Sequence, residues 1–265
     1  NNAAVPVLQS LGWAPLALHT VWYVHHKGHP GWFGDVTPAS TFEAFLRYAM
    51  QAPHLKVSTV LSGYLGSAEQ AMLLARYLSA EQCYVCDPVL GDLPGGQYVS
   101  DALLQAYREH LLPRATVLLP NPFELGLLSG TSVDTTLQAM QAARALLARY
   151  PTLQTVVVKG VRIAEELHLC TVTREQLTRT QHPVVAYRVS GTGDTFSAAW
   201  LAGYLRTGSL HLALTYAAEF LYRVVRRTAH TRQRELHILP ELPWLREALQ
   251  GLIPDEAGRV PTSPP

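Results

Sequence analysis

The chain has 265 residues, of which 48% are hydrophobic and 15% are charged, and its net charge is +1. Such a composition can fill the core of one large or two small domains and argues against disorder. The near-neutral charge gives no general reason to bind nucleic acid or an acidic membrane, and no apolar run has transmembrane length. Three cysteines, an odd number, do not make a disulfide framework, which fits the reducing cytosol. We therefore expect a cytoplasmic protein.

The first third of the chain predicts a strand, a flap and two capped helices. Residues 13–23 are rich in Leu, Val and aromatic side chains and predict a strand. We interpret the His- and Gly-rich loop that follows, residues 25–34, as a mobile flap over a pocket. Each predicted helix begins with a capping box, Ser40 with Glu43 for the helix at about 40–50 and Ser67 with Gln70 for the helix at about 67–78.

Strands and helices then alternate along the chain. Strands are predicted at 57–61, 84–86, 116–119 and 155–158, and a further pair at 167–172 and 184–187 is expected to be antiparallel. Helices are predicted from about 100, at 122–128, at 135–150, at 195–205 and at 210–227. This alternation predicts a mostly parallel sheet covered by helices on both faces.

The turn at Gly191 and Gly193 is the main functional signal. The glycines let the backbone turn sharply and approach a ligand, and a helix follows at once. The free N–H groups of its first turn, with the helix dipole, form an anion site. Asp194 would repel a bound phosphate, so it fits a base that takes a proton from an attacking hydroxyl. An ordinary helix start with Asp in its first turn is the alternative.

Polar side chains follow the other predicted strands. Ligands of open parallel sheets bind beyond the carboxyl ends of the strands. The candidate residues at these ends are Thr20, Tyr64, Asp87, Asp92, Asn121, Glu124, Lys159 and Asp194. Four carboxylates beside an anion site are typical of chemistry on a magnesium-bound nucleotide, with one carboxylate as the base.

Residues 191–194 resemble the anion-hole and catalytic-base motif of the ribokinase-like kinases of carbohydrates and vitamins. Further stretches narrow the resemblance to the pyridoxal/pyridoxine (vitamin B6) kinases; they are 1–6, 62–68, 86–92, 120–125 with 128–130, and 210–240. The resemblance covers nearly the whole chain. It implies a three-layer α/β/α fold, a homodimer, and the use of ATP and Mg²⁺ with a monovalent cation, K⁺ or Na⁺.

The resemblance also implies a role for each candidate. Asp194 would be the base for the 5′-hydroxymethyl group of the vitamin, and the N–H groups of Gly191, Thr192 and Gly193 would hold the transferring phosphoryl. Thr20 and Tyr64 would line the B6 pocket. The ATP site would contain Asp87, Asp92, Asn121, Glu124, Lys159 and Thr192, with Asp87 and Glu124 also organising Mg²⁺.

Three departures from the family pattern shape our expectations. Members begin with a strand that carries a pocket serine before the stretch at 1–6, so we expect residues 1–265 alone to be poorly soluble or inactive. Leu119 and Lys159 stand where many members have Thr or Ser, near the cation region. The connection from Gly160 to Leu167 is also shorter than in the family, so the contacts to adenine are expected to differ. We expect one kinase domain at 1–253, lacking that first strand, and a disordered tail at 254–265.

Two other functions remain open. A hydroxymethylpyrimidine kinase would share the fold and the primary-alcohol chemistry. A non-catalytic B6-binding relative is the other alternative, and retention of Asp194 with both glycines argues against it. A nicotinamide dehydrogenase and a P-loop kinase are disfavoured because the chain has neither a GxGxxG after a first strand nor a GxxxxGK[ST] motif.

Overall fold

The computed structural model describes residues 3–24 and 31–250, which form a central β-sheet between two layers of helices. The remaining ranges, 1–2, 25–30 and 251–265, lie outside the described residues, and they include most of the expected flap and the whole expected tail. The expected three-layer α/β/α architecture is confirmed. No helix within the described ranges combines the length and apolar character needed to cross a bilayer.

The chain forms nine α-helices within the described residues. They are α1 (Ala4–Ser10), α2 (Ala39–Gln51), α3 (Ala68–Tyr77), α4 (Asp101–Ala106), α5 (Pro122–Ser129), α6 (Thr136–Arg149), α7 (Thr192–Thr207), α8 (Leu210–Thr231) and α9 (Leu242–Gln250). Helix α4 continues into a π turn (Tyr107–Leu111) and a 3-10 turn (Leu112–Arg114), and a second 3-10 turn (Leu239–Glu241) leads into α9.

Three sheets contain the strands of the described residues. The strands are β1 (Val21–Tyr23), β2 (Gly34–Val36), β3 (Thr59–Ser62), β4 (Cys83–Cys86), β5 (Gly91–Asp92), β6 (Gly96–Gln97), β7 (Val117–Leu118), β8 (Thr155–Ile163), β9 (Glu166–Val172) and β10 (Leu177–Pro183). The central sheet has the order β10-β9-β8-β7-β4-β3, and β1-β2 and β5-β6 are separate two-stranded sheets. Strands β3, β4, β7 and β8 are parallel, so the loops after β3, β4 and β7 open at one edge of the sheet.

Side chains of the inner strands alternate between two cores, one on each face of the sheet. In β4, Tyr84 and Cys86 pack in the core formed with α2 to α6. Val85, between them, packs with α1, α7, α8 and α9, and Val157 of β8 points into the same second core. A parallel sheet buried on both faces needs apolar side chains on both, which explains the continuous apolar runs in the sequence.

The strand expected at 13–23 is wrong over most of its length. Only β1 is a strand there, and it pairs with β2 outside the central sheet. The carbonyl of His19 accepts a hydrogen bond from the Thr37 hydroxyl, and that of Thr20 accepts from the Gln70 amide. Side chains therefore satisfy backbone groups that a neighbouring strand would otherwise satisfy, and composition alone does not reveal such partners.

The prediction of a strand at 184–187, the second of the antiparallel pair, is also wrong. Strand β9 pairs with β10, and residues 184–187 follow β10 without joining the sheet. Strand β10 has few apolar side chains, so an apolar-run criterion overlooks it. Strand β8 extends beyond the expected end at 158 to Ile163, and there it pairs with β9 in an antiparallel hairpin.

The predicted capping of the helix N-termini is confirmed for α3 only in part, and it is wrong for α2. Ser67 is the N-cap of α3, where its hydroxyl accepts from the Gln70 N–H, as expected. The Gln70 amide turns away from that box and accepts from the Gly66 N–H instead. Helix α2 has Pro38 as its N-cap without a side-chain cap, so the expected box at its start is wrong.

The first prediction concerns the side chain of Gln70. Its fully buried amide accepts from Gly66 N–H and donates to the carbonyls of Thr20 and Thr37, each at 2.9 Å, so it joins α3 to the β1–β2 sheet. We expect Gln70→Leu to lower the free energy of unfolding by about 2–5 kcal/mol, because the Gly66 N–H and the Thr37 carbonyl lose this partner and the Thr20 carbonyl keeps only the Thr37 N–H.

Urea denaturation measures this change. Gln105→Leu, the same substitution at an exposed position of α4, is the matched control and should stay within about 0.5 kcal/mol of the wild type. A Gln70→Leu protein as stable as the control would show that the three hydrogen bonds contribute nothing to holding the β1–β2 sheet.

Candidate active site

A buried ion pair between Asp87 and Lys159 lies at the centre of the site. The ammonium Nζ is 2.6 Å from Oδ1 of Asp87, and the two side chains are 9% and 1% exposed, with Lys159 the more exposed. The Ser197 hydroxyl, on α7, donates to Oδ2 of Asp87 at 2.6 Å. Removing one partner of a buried pair leaves an uncompensated charge, which costs about 3–5 kcal/mol, so these groups fix one another.

Lys159 lies at a β-bulge and not, as expected, at the end of its strand. Lys159 and Gly160 together oppose the single residue Leu169 of β9. Gly160 has a φ of 84°, which glycine adopts without a Cβ clash. Bulges redirect side chains, and this one accompanies the turn of Lys159 toward Asp87 at the edge where β4 ends.

Lys159 remains charged despite its burial. Burial disfavours the ammonium, but the carboxylates of Asp87, Glu124 and Asp194 favour it more strongly, and together they raise the pKa of Lys159 above its usual value. These three carboxylates come from the ends of β4 and β7 and from the start of α7. The ammonium is therefore the shared counter-charge of all three.

Glu124 closes a capping box at the start of α5. Its two oxygens accept from the N–H groups of Asn121, at 2.8 Å, and Leu90, at 3.2 Å, while the Asn121 side chain accepts from the Glu124 N–H at 2.9 Å. Asn121 also donates to the carbonyl of Gly91 at 2.8 Å, which ties α5 to the β5–β6 hairpin. Glu124 is 3% exposed.

Burial also changes the acidity of Glu124. It raises the pKa of this carboxyl to about 8, and the negative charge of Asp87 acts in the same direction, whereas Lys159 and the two N–H donors act against it. Asp87 thus lies close enough to Glu124 for its charge to disfavour ionisation of the Glu124 carboxyl.

The turn expected to bind an anion, residues 191–194 and here called the anion turn, lies at the start of α7, which begins three residues before the expected start at 195. Gly191 is the N-cap of this helix with a φ of 88°, and α7 begins at Thr192. Because glycine has no side chain to cap the first turn, that turn's N–H groups can bind an anion. A Cβ on Gly193 would lie 3.4 Å from the Lys159 Nζ, so the ammonium lies against this turn.

Asp194 faces the loop after β3. A Cβ on Gly63 would lie 3.4 Å from Oδ1 of Asp194, so the carboxylate and this loop are in near contact. Tyr64 follows in the same loop, and its carbonyl accepts from the Thr20 hydroxyl at 2.7 Å. The structure therefore brings Thr20, Tyr64 and Asp194 to one side of the site.

The β1–β2 sheet lies against the same loop. A Cβ on Gly66 would come within 2.6 Å of Val36 and 3.2 Å of Val21, so the loop has no room there for a side chain. Trp22 and Phe33, which flank the range 25–30, are 60% and 77% exposed.

Asp92 lies on the β5–β6 hairpin, farther from the ion pair. Its interaction with Tyr98, second to burial, raises the pKa of that phenol. Arg188, in the segment before the anion turn, donates to the Leu93 carbonyl of the hairpin at 3.5 Å. Asp92 therefore belongs to a cluster at the rim, with Tyr98 and Arg188.

Ser197, Gly63, Tyr98 and Arg188 were not identified as site residues from the sequence. Ser197 lies among the buried apolar residues of α7, where a small polar side chain gives no separate signal. Gly63 lies inside a stretch that was identified from the sequence, but only the folded structure shows that it leaves room for the Asp194 carboxylate. Tyr98 and Arg188 follow no motif that marks a ligand contact.

The described residues hold no group of three or more His, Cys, Asp or Glu side chains that could hold a metal by themselves. Mg²⁺ is commonly bound through one or two carboxylates together with water and substrate phosphates. Asp87 and Glu124, two buried carboxylates facing one space, fit that mode.

Comparison with known proteins places the chain in a family. The model of the family described as phosphomethylpyrimidine kinase matches residues 35–238. The pyridoxine/pyridoxal/pyridoxamine kinase of Bordetella avium (strain 197N) is 36% identical over 95% of this chain and 88% of its own length. The pyridoxal kinase PdxY of Deinococcus radiodurans is 31% identical over 90% of this chain and 85% of its own.

A solved structure is similar over a comparable span. Pyridoxal kinase from Leishmania donovani, in complex with ADP and ginkgotoxin, superposes with a TM-score of 0.82 at 26% identity. The match covers 93% of this chain and 90% of that protein. The resemblance drawn from the sequence motifs is confirmed.

The second prediction concerns the pH dependence of stability that Glu124 causes. A carboxyl whose pKa is raised from 4.5 to about 8 on folding stabilises the fold in its protonated form. That contribution is fully present below the unfolded pKa and is lost as pH rises through about 8. We expect the free energy of unfolding of the metal-free protein to fall with pH across this window, and Glu124→Gln to abolish that part of the slope.

Urea denaturation of both proteins at several pH values between 5 and 9 gives the comparison. Glu109→Gln, on the exposed face of the π turn, is the control and should keep the wild-type slope. Identical slopes for wild type and Glu124→Gln would mean that Glu124 is already ionised in the folded protein at neutral pH.

Proposed function

Because the chain belongs to the phosphomethylpyrimidine kinase family of ribokinase-like proteins, we propose that it is an ATP-dependent kinase of vitamin B6. It transfers the γ-phosphoryl of ATP to the 5′-hydroxymethyl group of pyridoxal, pyridoxine or pyridoxamine. The product from pyridoxal is pyridoxal 5′-phosphate, and the reaction serves salvage of the vitamin. The relatives named as pyridoxal kinases over nearly the whole chain support this substrate class.

The position of Asp194 is the observation that carries the proposal. Its carboxylate lies in the first turn of α7, next to the amides of the anion turn, and it faces Gly63 in the loop that contains Tyr64. In the proposed reaction, Asp194 accepts the proton of the 5′-hydroxyl group. The hydroxyl oxygen forms a bond to the γ-phosphorus, the bond to the β,γ-bridging oxygen breaks, and ADP leaves.

The proposed phosphate site lies on the other side of Asp194. The N–H groups of Gly191, Thr192 and Gly193 donate to the transferring phosphoryl group, whose charge the start of α7 stabilises. Lys159, against Gly193, adds a full positive charge. Thr192 is proposed to reach the nucleotide as well. Such fixed donors need no rearrangement as charge develops, which is why they lower the barrier.

The remaining nucleotide contacts come from β4, β5 and α5. Asp87, Glu124 and Asn121 orient the phosphates, and Asp92 lies near the phosphates at the hairpin. Asp87 and Glu124 would hold Mg²⁺, partly through water. Bound Mg²⁺ would neutralise part of the charge of the ATP phosphates. The burial of Asp87 and Glu124 supports this assignment, because carboxylates in such a site interact strongly with a cation.

The vitamin pocket is proposed to lie between the loop after β3 and the β1–β2 sheet. Tyr64 packs against the pyridine ring, and Thr20, whose hydroxyl holds the Tyr64 carbonyl, shapes the pocket wall. The loop 25–34 is proposed as the flap, and the exposed aromatic rings of Trp22, just before it, and Phe33, within it, support a binding role.

Hydroxymethylpyrimidine is a second candidate substrate, because the description of the matching family model names the phosphorylated form of this pyrimidine. Both substrates present a primary alcohol on a heteroaromatic ring. The discriminating experiment measures ATP consumption by the full-length gene product with pyridoxal, pyridoxine, pyridoxamine and hydroxymethylpyrimidine side by side. We expect the highest kcat/KM with a B6 vitamer; a higher value with the pyrimidine would reverse the assignment, and no turnover with any of them would refute the kinase.

We further propose that residues 1–253 form one kinase domain that acts as a homodimer in the cytoplasm. Phe45 and Tyr48 on α2 and Met72 on α3 are large apolar side chains that are 44% to 62% exposed, and these two helices pack together. An exposed apolar group of this kind supports an interface between copies.

Asp194→Asn tests the catalytic base. The amide keeps the size of the side chain but cannot accept the proton, so we expect kcat to fall by about 10²–10⁴-fold while ATP affinity changes little. Steady-state kinetics give kcat, and equilibrium titration gives the ATP affinity. The control is Asp134→Asn, at an exposed position before α6, which should keep wild-type kinetics. A near-normal kcat for Asp194→Asn would remove this residue from the mechanism.

Tyr64→Ala tests the vitamin pocket. Losing the ring removes its packing against the pyridine, so we expect the KM for pyridoxal to rise by about tenfold, with a much smaller change in the KM for ATP. Tyr64→Phe keeps the ring and serves as the matched control, with a KM for pyridoxal close to that of the wild type. An equal rise in both KM values for Tyr64→Ala would point to a general distortion.

A further inference from the structure

The family resemblance implies a monovalent cation, and the residues of this chain do not fit one beside Asp87. The Lys159 ammonium lies 2.6 Å from Oδ1 of Asp87, in the space that a monovalent cation would need beside this oxygen, and the Ser197 hydroxyl donates to Oδ2. The neighbouring strand end offers Leu119, a fully buried apolar side chain without an oxygen ligand. The Pro120 carbonyl accepts from the Lys159 N–H at 2.9 Å.

We propose that the Lys159 ammonium is a built-in monovalent cation, so that phosphoryl transfer by this chain requires neither K⁺ nor Na⁺. The inference rests on the proposed kinase function and assigns Lys159 a role beyond holding a phosphate. A side-chain ammonium and K⁺ carry the same charge and both bind carboxylate and phosphate oxygens. The difference is that the ammonium is covalently held in the site.

The charge balance of the site supports the need for such a cation. Asp87 and Asp194 place two carboxylates, and Glu124 a third carboxyl group, around the space proposed for the ATP phosphates, and the Lys159 ammonium lies 2.6 Å from Asp87 and against Gly193, next to Asp194. Without a positive charge there, the carboxylates would repel the polyphosphate. The ammonium offsets part of this repulsion before any nucleotide binds.

The position of the ammonium supports a role in the reaction. Its Nζ is next to the carboxylate at the end of β4 and also lies against Gly193 of the anion turn. It therefore bridges the proposed metal and phosphate sites and stabilises the negative charge that both attract. The bulge at Lys159 and Gly160 holds it there, so the charge is present at every turnover without binding from solution.

A purely structural ion pair is the competing explanation. In that case Lys159 would only neutralise Asp87, and the reaction would still depend on a dissolved cation. The two explanations differ in the cation dependence of the wild-type protein, which requires no variant to measure.

The first experiment measures pyridoxal-dependent ATP consumption by the full-length gene product with the tetramethylammonium salt of ATP and Mg²⁺. Chloride salts of K⁺, Na⁺, NH₄⁺ and choline are compared at constant ionic strength. At constant ionic strength the salts screen charges equally, so only specific binding of a cation could change the rate. Because the ammonium already supplies the cation, we expect the rate in choline chloride to match that in KCl within about twofold. A wild-type rate that is more than about tenfold higher in KCl, corresponding to about 1.4 kcal/mol of specific stabilisation, would overturn the proposal. A protein without turnover in any salt would instead refute the kinase function.

The second experiment exchanges the ammonium for a dissolved ion. Lys159→Thr removes the charge and opens space lined by a hydroxyl oxygen, whereas Lys159→Met removes the charge but fills most of the space. We expect both variants to lose about 10²–10³-fold in kcat in choline chloride, as when one stabilising group of a transition state is removed. KCl or NH₄Cl should restore part of the rate to Lys159→Thr in a saturable manner and should not restore Lys159→Met. Lys56→Met, at an exposed position, is the control for losing a lysine and should match the wild type.

The third measurement needs no catalysis. In the absence of nucleotide, KCl should raise the melting temperature of Lys159→Thr relative to choline chloride, because K⁺ binds beside the uncompensated Asp87 carboxylate. The wild type and Lys159→Met should show no such difference. Equal responses of all three proteins to KCl would contradict an exchange of the ammonium for the ion.

Discussion

The ion pair of Lys159 with Asp87 is the interaction on which the site depends. It joins the end of β4 to the bulge in β8, and through Ser197 it reaches the start of α7. These three elements belong to different parts of the chain and meet only because the sheet brings their ends to one edge. A buried charge tolerates little displacement, so the pair fixes the distance between the carboxylates and the anion turn.

The two-core architecture explains why the site can be polar inside an apolar protein. Each face of the sheet is filled by its own cluster of helices, which leaves the carboxyl edge as the place where backbone groups and charged side chains remain exposed to ligand. On one side of that edge, α5 presents Glu124 and Asn121. On the other, α7 presents its amides and Asp194. The proposed transfer of a phosphoryl group occurs between them, from the nucleotide held by the carboxylates to the alcohol beside Asp194.

The sequence predicts those features whose cause is local. Gly191 to Asp194 combine a glycine turn with a helix start, and the Ser67 N-cap of α3 follows from its spacing to Gln70. The bulge that redirects Lys159 and the hydrogen bond of Ser197 arise from tertiary contacts, so no pattern in neighbouring residues reveals them. Strand β10 was missed because its side chains are largely polar. The segment before β1 was misassigned because Thr37 and Gln70, distant in the chain, satisfy its backbone.

The most direct test of the account is a crystal structure of the protein with pyridoxal, Mg²⁺ and a non-hydrolysable ATP analogue. We expect the γ-phosphate to accept hydrogen bonds from the amides at the start of α7, the 5′-hydroxyl to lie within hydrogen-bonding distance of Asp194, and the Lys159 ammonium to remain at Asp87. Pyridoxal bound away from Asp194, or phosphates bound away from the anion turn, would contradict the proposed reaction geometry.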